Sequence, residues 1–322
     1  MTFPDMPDRD PQLRSRAVIH PYERSRLTLA ICCLAITSIV LLAVVIAALA
    51  HFADFLWFLF FILLIVGFIW FSHRLRRARL LGRAIKVTPE SFPVIHAEFI
   101  GLQRKLDYGR SVDVYVADDV EGKMTMTSLL GTRVLLIEGG FAADLQQEGP
   151  EPLRFLLGGY IGALKARHSQ LALPLAVLGA MKWTAFINPW ILPYYRAAMY
   201  TRDQVGYLCS GSLDASLGVI ARLTVGKEMA PEMSPSGVLD QANRVGQNLL
   251  PRLSELSEDR PHLVKRYVNL VAFSARVRRA DFERFQACLN ENDQRLLRSL
   301  LVQSPHSRQV GTTPRLHSAR WS

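Results

Sequence analysis

The sequence predicts a mainly α-helical protein with a small β-sheet, carried on an N-terminal two-helix transmembrane hairpin. Three observations predict it. Two long apolar runs without charge lie close to the N-terminus. Most of the remaining chain repeats its apolar residues at three- and four-residue steps, as amphipathic helices do. One short stretch, 112–137, alternates between Asp, Gly and Glu turns and reads as strands.

Leu27 to Ala50 and Phe55 to Phe71 contain no charged residue. A bilayer core of about 30 Å needs about 20 apolar residues as helix. The first run spans it. The second spans once Phe52, Ala53 or Ser72 joins it, and Trp57 and Trp70 stand near its ends, where indole rings favour the headgroup layer. Ala48-Leu49-Ala50 has the small residues of a signal-peptide cleavage site. However, the run exceeds the ~7–15 residues of a signal core, and a second apolar run follows at once, so the reading is a membrane hairpin. Its loop, His51 to Asp54, has no Lys or Arg. Arg9, Arg14, Arg16, Arg24 and Arg26 precede it, and Arg74, Arg76, Arg77, Arg79, Arg83 and Lys86 follow it. The positive-inside rule then places both termini in the cytoplasm.

The net charge of +10 does not imply nucleic acid. The surplus sits at 73–86 and in the tail, at Arg308, Arg315 and Arg320, while 87–303 is close to neutral. Such clusters serve topology and anionic lipid, so the expected partner is the bilayer and no nucleic acid. Cys32 and Cys33 lie in the first apolar run, and Cys209 and Cys288 are isolated. Without a Cys-x-x-Cys pair, neither a zinc ribbon nor a thioredoxin-type site is supported, and a reducing compartment fits. The chain divides into a cytoplasmic tail (1–26), the hairpin (27–72), a basic juxtamembrane segment (73–86), a folded domain (87–303) and a basic disordered tail (304–322).

Within the domain, Thr88-Pro89 predicts a helix start with proline at the first helical position. Phe92, Ile95, Phe99, Leu102 and Leu106 continue it as an amphipathic helix. Val112–Val116, Met124–Leu130 and Thr132–Ile137 read as strands, closed by Gly139-Gly140. A short helix, Phe141–Gln147, precedes a helix from Pro152 to His168. Residues 171–195 are apolar but broken by Lys182, Pro189 and Pro193, which fits a hairpin against the membrane or a core loop better than a third span. Arg196–Leu223 reads as helix interrupted near Gly211, 226–237 as loop, and 238–256, 260–279 and 281–303 as helices.

The chemistry-bearing pattern is at 155–168, Phe-Leu-Leu-Gly-Gly-Tyr-Ile-Gly-Ala-Leu-Lys-Ala-Arg-His. It has the shape of a metallopeptidase helix carrying His-Glu-x-x-His, with Gly159, Tyr160 and Ala163 at the three chemical positions. Ile161, Gly162, Leu164, Lys165 and His168 match the longer pattern His-Glu-Leu-Gly-His-Ile-Lys-x-x-His. Farther on, Arg196-Ala-Ala-Met-Tyr-Thr-Arg-Asp-Gln-Val-Gly206 is similar to Arg-x-x-Glu-Tyr-Thr-Cys-Asp-Arg-x-Gly. Arg196, Tyr200, Thr201, Asp203 and Gly206 match, and Met199 stands at the carboxylate. Ala221–Gly226 resembles Lys-Leu-x-x-Gly. Arg260–Leu270 resembles His-Pro-x-x-x-x-Arg-x-x-x-Leu.

With these segments in order after a membrane hairpin, the chain resembles the HtpX and CaaX-prenyl-protease type of membrane zinc metallopeptidase. The resemblance implies a zincin-like scaffold. Gly159, Ala163 and Met199 then hold the family's ligand positions and Tyr160 that of its general base. A role near membrane protein quality control is also implied.

The residues themselves do not support the chemistry. Two His at i and i+4 and a carboxylate bind catalytic zinc, while a Glu takes the proton from its water. Gly and Ala have no donor, Met is a soft thioether, and Tyr, with a pKa near 10, is a poor base. No two of the eight histidines are otherwise four apart. His168 and Asp203 are the remaining candidate ligands, at positions that support the site in active relatives. His96-Ala-Glu98 lacks a Pro-Cys-x-x-Cys partner, and Ser210 lacks a Gly-x-Ser-x-Gly frame. Bland readings remain for the retained residues: close packing at Gly162, a polar helix end at Lys165 and His168, ion pairing at Arg196 and Asp203.

The expectation is therefore a catalytically inactive relative with no cofactor, which binds an extended peptide or a membrane protein partner. One alternative is an active metalloendopeptidase with atypical ligands and zinc. Another is a membrane scaffold whose cleft has closed.

Overall fold

A computed structural model describes residues 23–49, 52–118, 120, 123–129, 132–165, 188–248 and 261–303. It is mainly helical with one small mixed sheet. Helix α1 (Glu23–Leu49) contains a segment, Ser25–Ala47, long and apolar enough to cross a membrane, with mean hydropathy 3.0. Helix α2 (Phe52–Arg83) carries the shorter apolar stretch Leu56–Ser72 and touches α1. It does not stop at the basic residues. It runs helically through 73–83 and passes directly into β1 (Ala84–Lys86). The sheet begins at Ala84, and the last turns of α2 extend about 16 Å beyond Ser72, at 1.5 Å per residue.

The sheet has the order β1-β2-β4-β3, with β2 at Val112–Ala117, β3 at Met124–Leu129 and β4 at Thr132–Glu138. β2 and β4 are parallel, and the outer strands are antiparallel to their neighbours. β4 sits inside because both its faces are apolar. Leu135 and Ile137 join the main core, while Val134 and Leu136 cover Ala117 and Val120 on the other side.

Helix α3 begins at Pro93, not at Pro89. A helix from Pro89 would bring the Pro93 ring against the Pro89 carbonyl and leave that carbonyl without its donor. The chain instead makes a small turn, in which the Ser91 N–H donates to Thr88 Oγ1 at 3.0 Å. Phe92 then enters the left-handed region at φ 64°. Ile95, Phe99 and Leu102 of α3 (Pro93–Lys105) are buried at the predicted spacing.

Helix α4 (Gly139–Gln147) leads to α5 (Pro150–Lys165), in which every residue from Phe155 to Leu164 is buried. Such a helix is a core element, enclosed by α3, α4, α6 (Asn188–Ser210) and α7 (Leu213–Val225). Helix α6 starts earlier than predicted and holds Pro193 within it. The predicted segment 171–195 is described from Asn188 onward, as helix. Its earlier part and His168 lie outside the described residues.

Ser212 and Ser234 cap α7 and α8 (Pro235–Gln247) by accepting from Ala215 N and Gly237 N. Helix α9 (Leu263–Val277) follows. The predicted helix 281–303 is two, α10 (Arg279–Ala287) and α11 (Glu291–Gln303). They divide where Asn290 Oδ1 accepts from Asp293 N at 2.8 Å, a side-chain cap that competes with helix continuation.

Candidate functional site

Helices α5 and α6 cross antiparallel along a seam of glycines. A Cβ on Gly162 would lie 2.5 Å from Val205 Cγ1, and one on Gly206 would lie 2.5 Å from the Phe155 carbonyl oxygen. At Gly158 it would lie 2.4 Å from Cys209 Cβ, and at Gly159 2.8 Å from the Arg202 carbonyl oxygen. No side chain fits at any of these four places without movement of the helices. Close packing is thus the observed use of Gly162 and Gly206. One turn beyond the Gly159–Arg202 contact, in the same direction along both helices, come Ala163 and Met199. The positions singled out in the sequence on α5 and α6 therefore share one crossing.

At the rim of that crossing is a polar chain that the sequence did not reveal. The Tyr160 hydroxyl donates to the Met124 carbonyl of β3 at 2.9 Å and accepts from the Arg202 guanidinium at 3.2 Å. Arg202 also lies over the Tyr160 ring, 4.9 Å from its centroid. Beneath it, Asp203 is bound on both oxygens by Arg266 of α9, at 2.8 and 2.9 Å. Burial works against the Arg266 charge, yet the Asp203 carboxylate holds its pKa above the ordinary value. Arg202 reaches Asp203 only at 3.7 Å, too far for a hydrogen bond. Among the described residues the cluster holds two guanidiniums and one carboxylate.

Phe155, Leu156, Gly159, Tyr160, Arg202, Asp203 and Leu223 line a cleft of about 190 Å³, part of it open solvent. The enclosed part has room for about one water, so the cleft is a shallow notch and encloses no small molecule.

The other retained residues have local partners. Lys165 donates to the Leu106 carbonyl at 2.7 Å, so the polar end of α5 holds the end of α3. Arg196 is buried. Glu98 forms no deaminase-like site. It takes both oxygens to Arg154 of α5, at 2.7 and 2.8 Å. Ser210 is buried and donates to the Ser212 carbonyl at 3.4 Å.

The described residues at the crossing do not fit a zinc ion. Gly159 and Ala163 supply no donor atom, and the Arg202 guanidinium places a positive charge at the same crossing. Among the described residues, no three His, Cys, Asp or Glu side chains gather as a ligand set. Arg266 carried a signal in the sequence, since it is the retained Arg of the segment 260–270. Arg202 carried none, because it replaces a cysteine of the resembled pattern.

The chain matches no family model, no curated protein and no solved structure.

Proposed function

We propose that this protein is a membrane-anchored, non-catalytic relative of HtpX-type metallopeptidases that binds an extended segment of a partner by strand addition to β3. The observation that carries this reading is the edge of the sheet. Lys123 O accepts from Glu138 N at 2.9 Å, so the backbone of Lys123 faces β4. Alternation along an antiparallel pair then turns Met124, Met126 and Ser128 outward. Tyr160 satisfies the outward carbonyl of Met124. Among the described residues no strand pairs with the outer side of β3 beyond it. A partner segment can therefore join the sheet along Met126 and Ser128.

Helices α1 and α2 form the membrane anchor in this reading, with both termini in the cytoplasm. The domain is held against the anchor. Tyr194 of α6 is buried with Ala30 of α1, and Arg26 donates to the Pro193 carbonyl at 3.1 Å. The closed scaffold is a second reading, favoured by the glycine seam that shuts the crossing. The choice between the two is whether β3 pairs.

The test uses the full chain in nanodiscs and a fluorescent nonapeptide of alternating Thr and Val, with a counterpart N-methylated at alternate amides. Strand addition predicts binding of the first and none of the second. Met126→Pro should abolish binding while preserving the domain's melting temperature, because the lost N–H faces away from β4. Equal binding of the two peptides would exclude strand addition, and binding of neither would favour the closed scaffold.

A further inference from the structure

We infer that the Tyr160–Arg202 cleft is a carboxylate-binding stop at the end of the β3 edge. This rests on strand addition for the direction from which the ligand arrives, and on the cleft alone for its chemistry.

Three features of the site converge on a carboxylate. The first is charge. Asp203 is already held on both oxygens by Arg266, so its negative charge is spent inside the fold. Arg202 contributes a second cation, whose ion-pair partner among the described residues, Asp203, lies at 3.7 Å and is already bound by Arg266, and its side chain is 18% exposed. The second is geometry. Guanidinium is a planar fork of five donors, of which the Tyr160 oxygen takes one, while the Tyr160 ring packs against it at 4.9 Å. A pre-oriented fork of this kind pairs with two oxygens at once. The third is access, since part of the cleft is open solvent and a group can approach Arg202 from that side.

Strand polarity says which end of a segment would reach it. β3 runs from Met124 to Leu129. A segment added antiparallel runs the other way, so its C-terminal end arrives at Met124. There the Tyr160 hydroxyl already occupies the outward carbonyl and further pairing stops. Arg202 stands behind that hydroxyl. A segment added parallel would bring an N-terminal amine to the same cation, which repels it. The arrangement thus selects for a carboxylate, either the C-terminus of the segment or an acidic side chain in its last residues.

The experiment compares three forms of the Thr–Val nonapeptide on the full chain in nanodiscs: a free acid, a C-terminal amide, and the amide with Glu as last residue. The free acid should bind roughly tenfold more tightly than the amide, the scale of a charge-assisted bidentate pair. Arg202→Gln should erase that advantage, and Arg202→Lys, which keeps charge but not the fork, should retain part of it. If the Glu amide equals the free acid, the stop accepts a side-chain carboxylate as well as a C-terminus. If it equals the plain amide, the carboxylate is the C-terminus.

A second arm needs no strand. N-acetylglycine should raise the melting temperature of the protein, at matched ionic strength, while N-acetylglycinamide should not, and Arg202→Gln should lose the response. Peptides that bind without preferring the acid would overturn the carboxylate stop and leave strand addition standing. Peptides that fail to bind, with N-acetylglycine still protecting through Arg202, would overturn strand addition and leave the stop. N-acetylglycine without effect, together with acid and amide peptides that behave alike, would remove it.

Discussion

Two pairs of helices in this chain are rich in apolar residues, and they are built on opposite rules. In α5 and α6 the contact residues are glycines, the backbones touch, and every side chain from Phe155 to Leu164 is buried. In α1 and α2 the apolar residues are large and face outward, as with Ile39 at 65% and Phe68 at 69% exposure. Water would penalise such exposure, and lipid would not. Apolar content alone therefore does not distinguish the two pairs. The size of the residue at the contact, and what the outward face meets, does.

The sharpest way to break this comparison is to cut the buried ion pair beside the α5–α6 seam. Asp203→Ala leaves Arg266 charged and 92% shielded by its surroundings, with 8% side-chain exposure. Loss of one partner from a buried pair costs about 3–5 kcal/mol. Chemical denaturation followed by circular dichroism should show that loss, whereas Ile39→Ala in α1 should move the domain's unfolding by less than about 0.5 kcal/mol. Similar costs for the two would mean that α1 belongs to the folded core and not to lipid.

The seam itself comes next. A methyl group on Gly206 meets the Phe155 carbonyl, which belongs to backbone and cannot rotate away. Overpacking of this kind costs about 1–3 kcal/mol. Gly218 of α7 has open space at its Cβ position, so Gly218→Ala should stabilise by up to about 1 kcal/mol through helix propensity. The pair of alanines thus carries opposite signs. Equal effects would show that the close approach of α5 and α6 is not required.

The elements most legible in the sequence are those whose apolar spacing is regular. Phe99 and Leu102 announce α3, and the run Val134–Ile137 announces an inner strand. Less legible is where an element ends, because that depends on competition between local bonds. Pro93 displaced the helix start from Pro89, Asn290 split the last helix, and nothing in the basic residues 73–83 marks that α2 continues through them into β1. For the candidate site, the pattern pointed to Gly159 and Tyr160, which line the cleft. The role of Tyr160 was not legible there. It depends on Met124, 36 residues away, and on Arg202, 42 residues away, and neither partner is implied by the motif.

Thiols give a smaller and purely local contrast. Cys209 lies in the seam against Gly158, and burial pushes its pKa from 9.0 up to about 11. Its folded value lies above its unfolded one, so this contribution to stability is complete below about pH 9. It is then lost as pH rises toward 11. The melting temperature should fall over that window, less steeply in Cys209→Ala. At pH 7, maleimide should modify exposed Cys288 and spare Cys209, as read by mass spectrometry. Rapid modification of Cys209 would mean that the seam opens.

The smallest expected effect is the one the sequence pattern alone would make largest. Gly159→His, Tyr160→Glu, Ala163→His and Met199→Glu together restore every ligand type of the resembled zinc site. The crossing nevertheless refuses them. A Cβ at Gly159 would meet the Arg202 carbonyl at 2.8 Å, and the Arg202 side chain at 3.1 Å, so the new imidazole must force the helices apart. Removal of the Tyr160 hydroxyl also frees the Met124 carbonyl and the Arg202 guanidinium, which then opposes a dication. The fourfold variant should bind zinc little better than the unsubstituted chain. The obstacle is partly electrostatic, so adding Arg202→Ala to the four changes should raise zinc affinity, measured by competition with a chromogenic chelator. The same five changes shifted by one residue should not. High affinity in the fourfold variant would show that the seam can open. If the aligned and shifted fivefold variants bind zinc alike, the spacing at 159–163 and 199 does not mark a site.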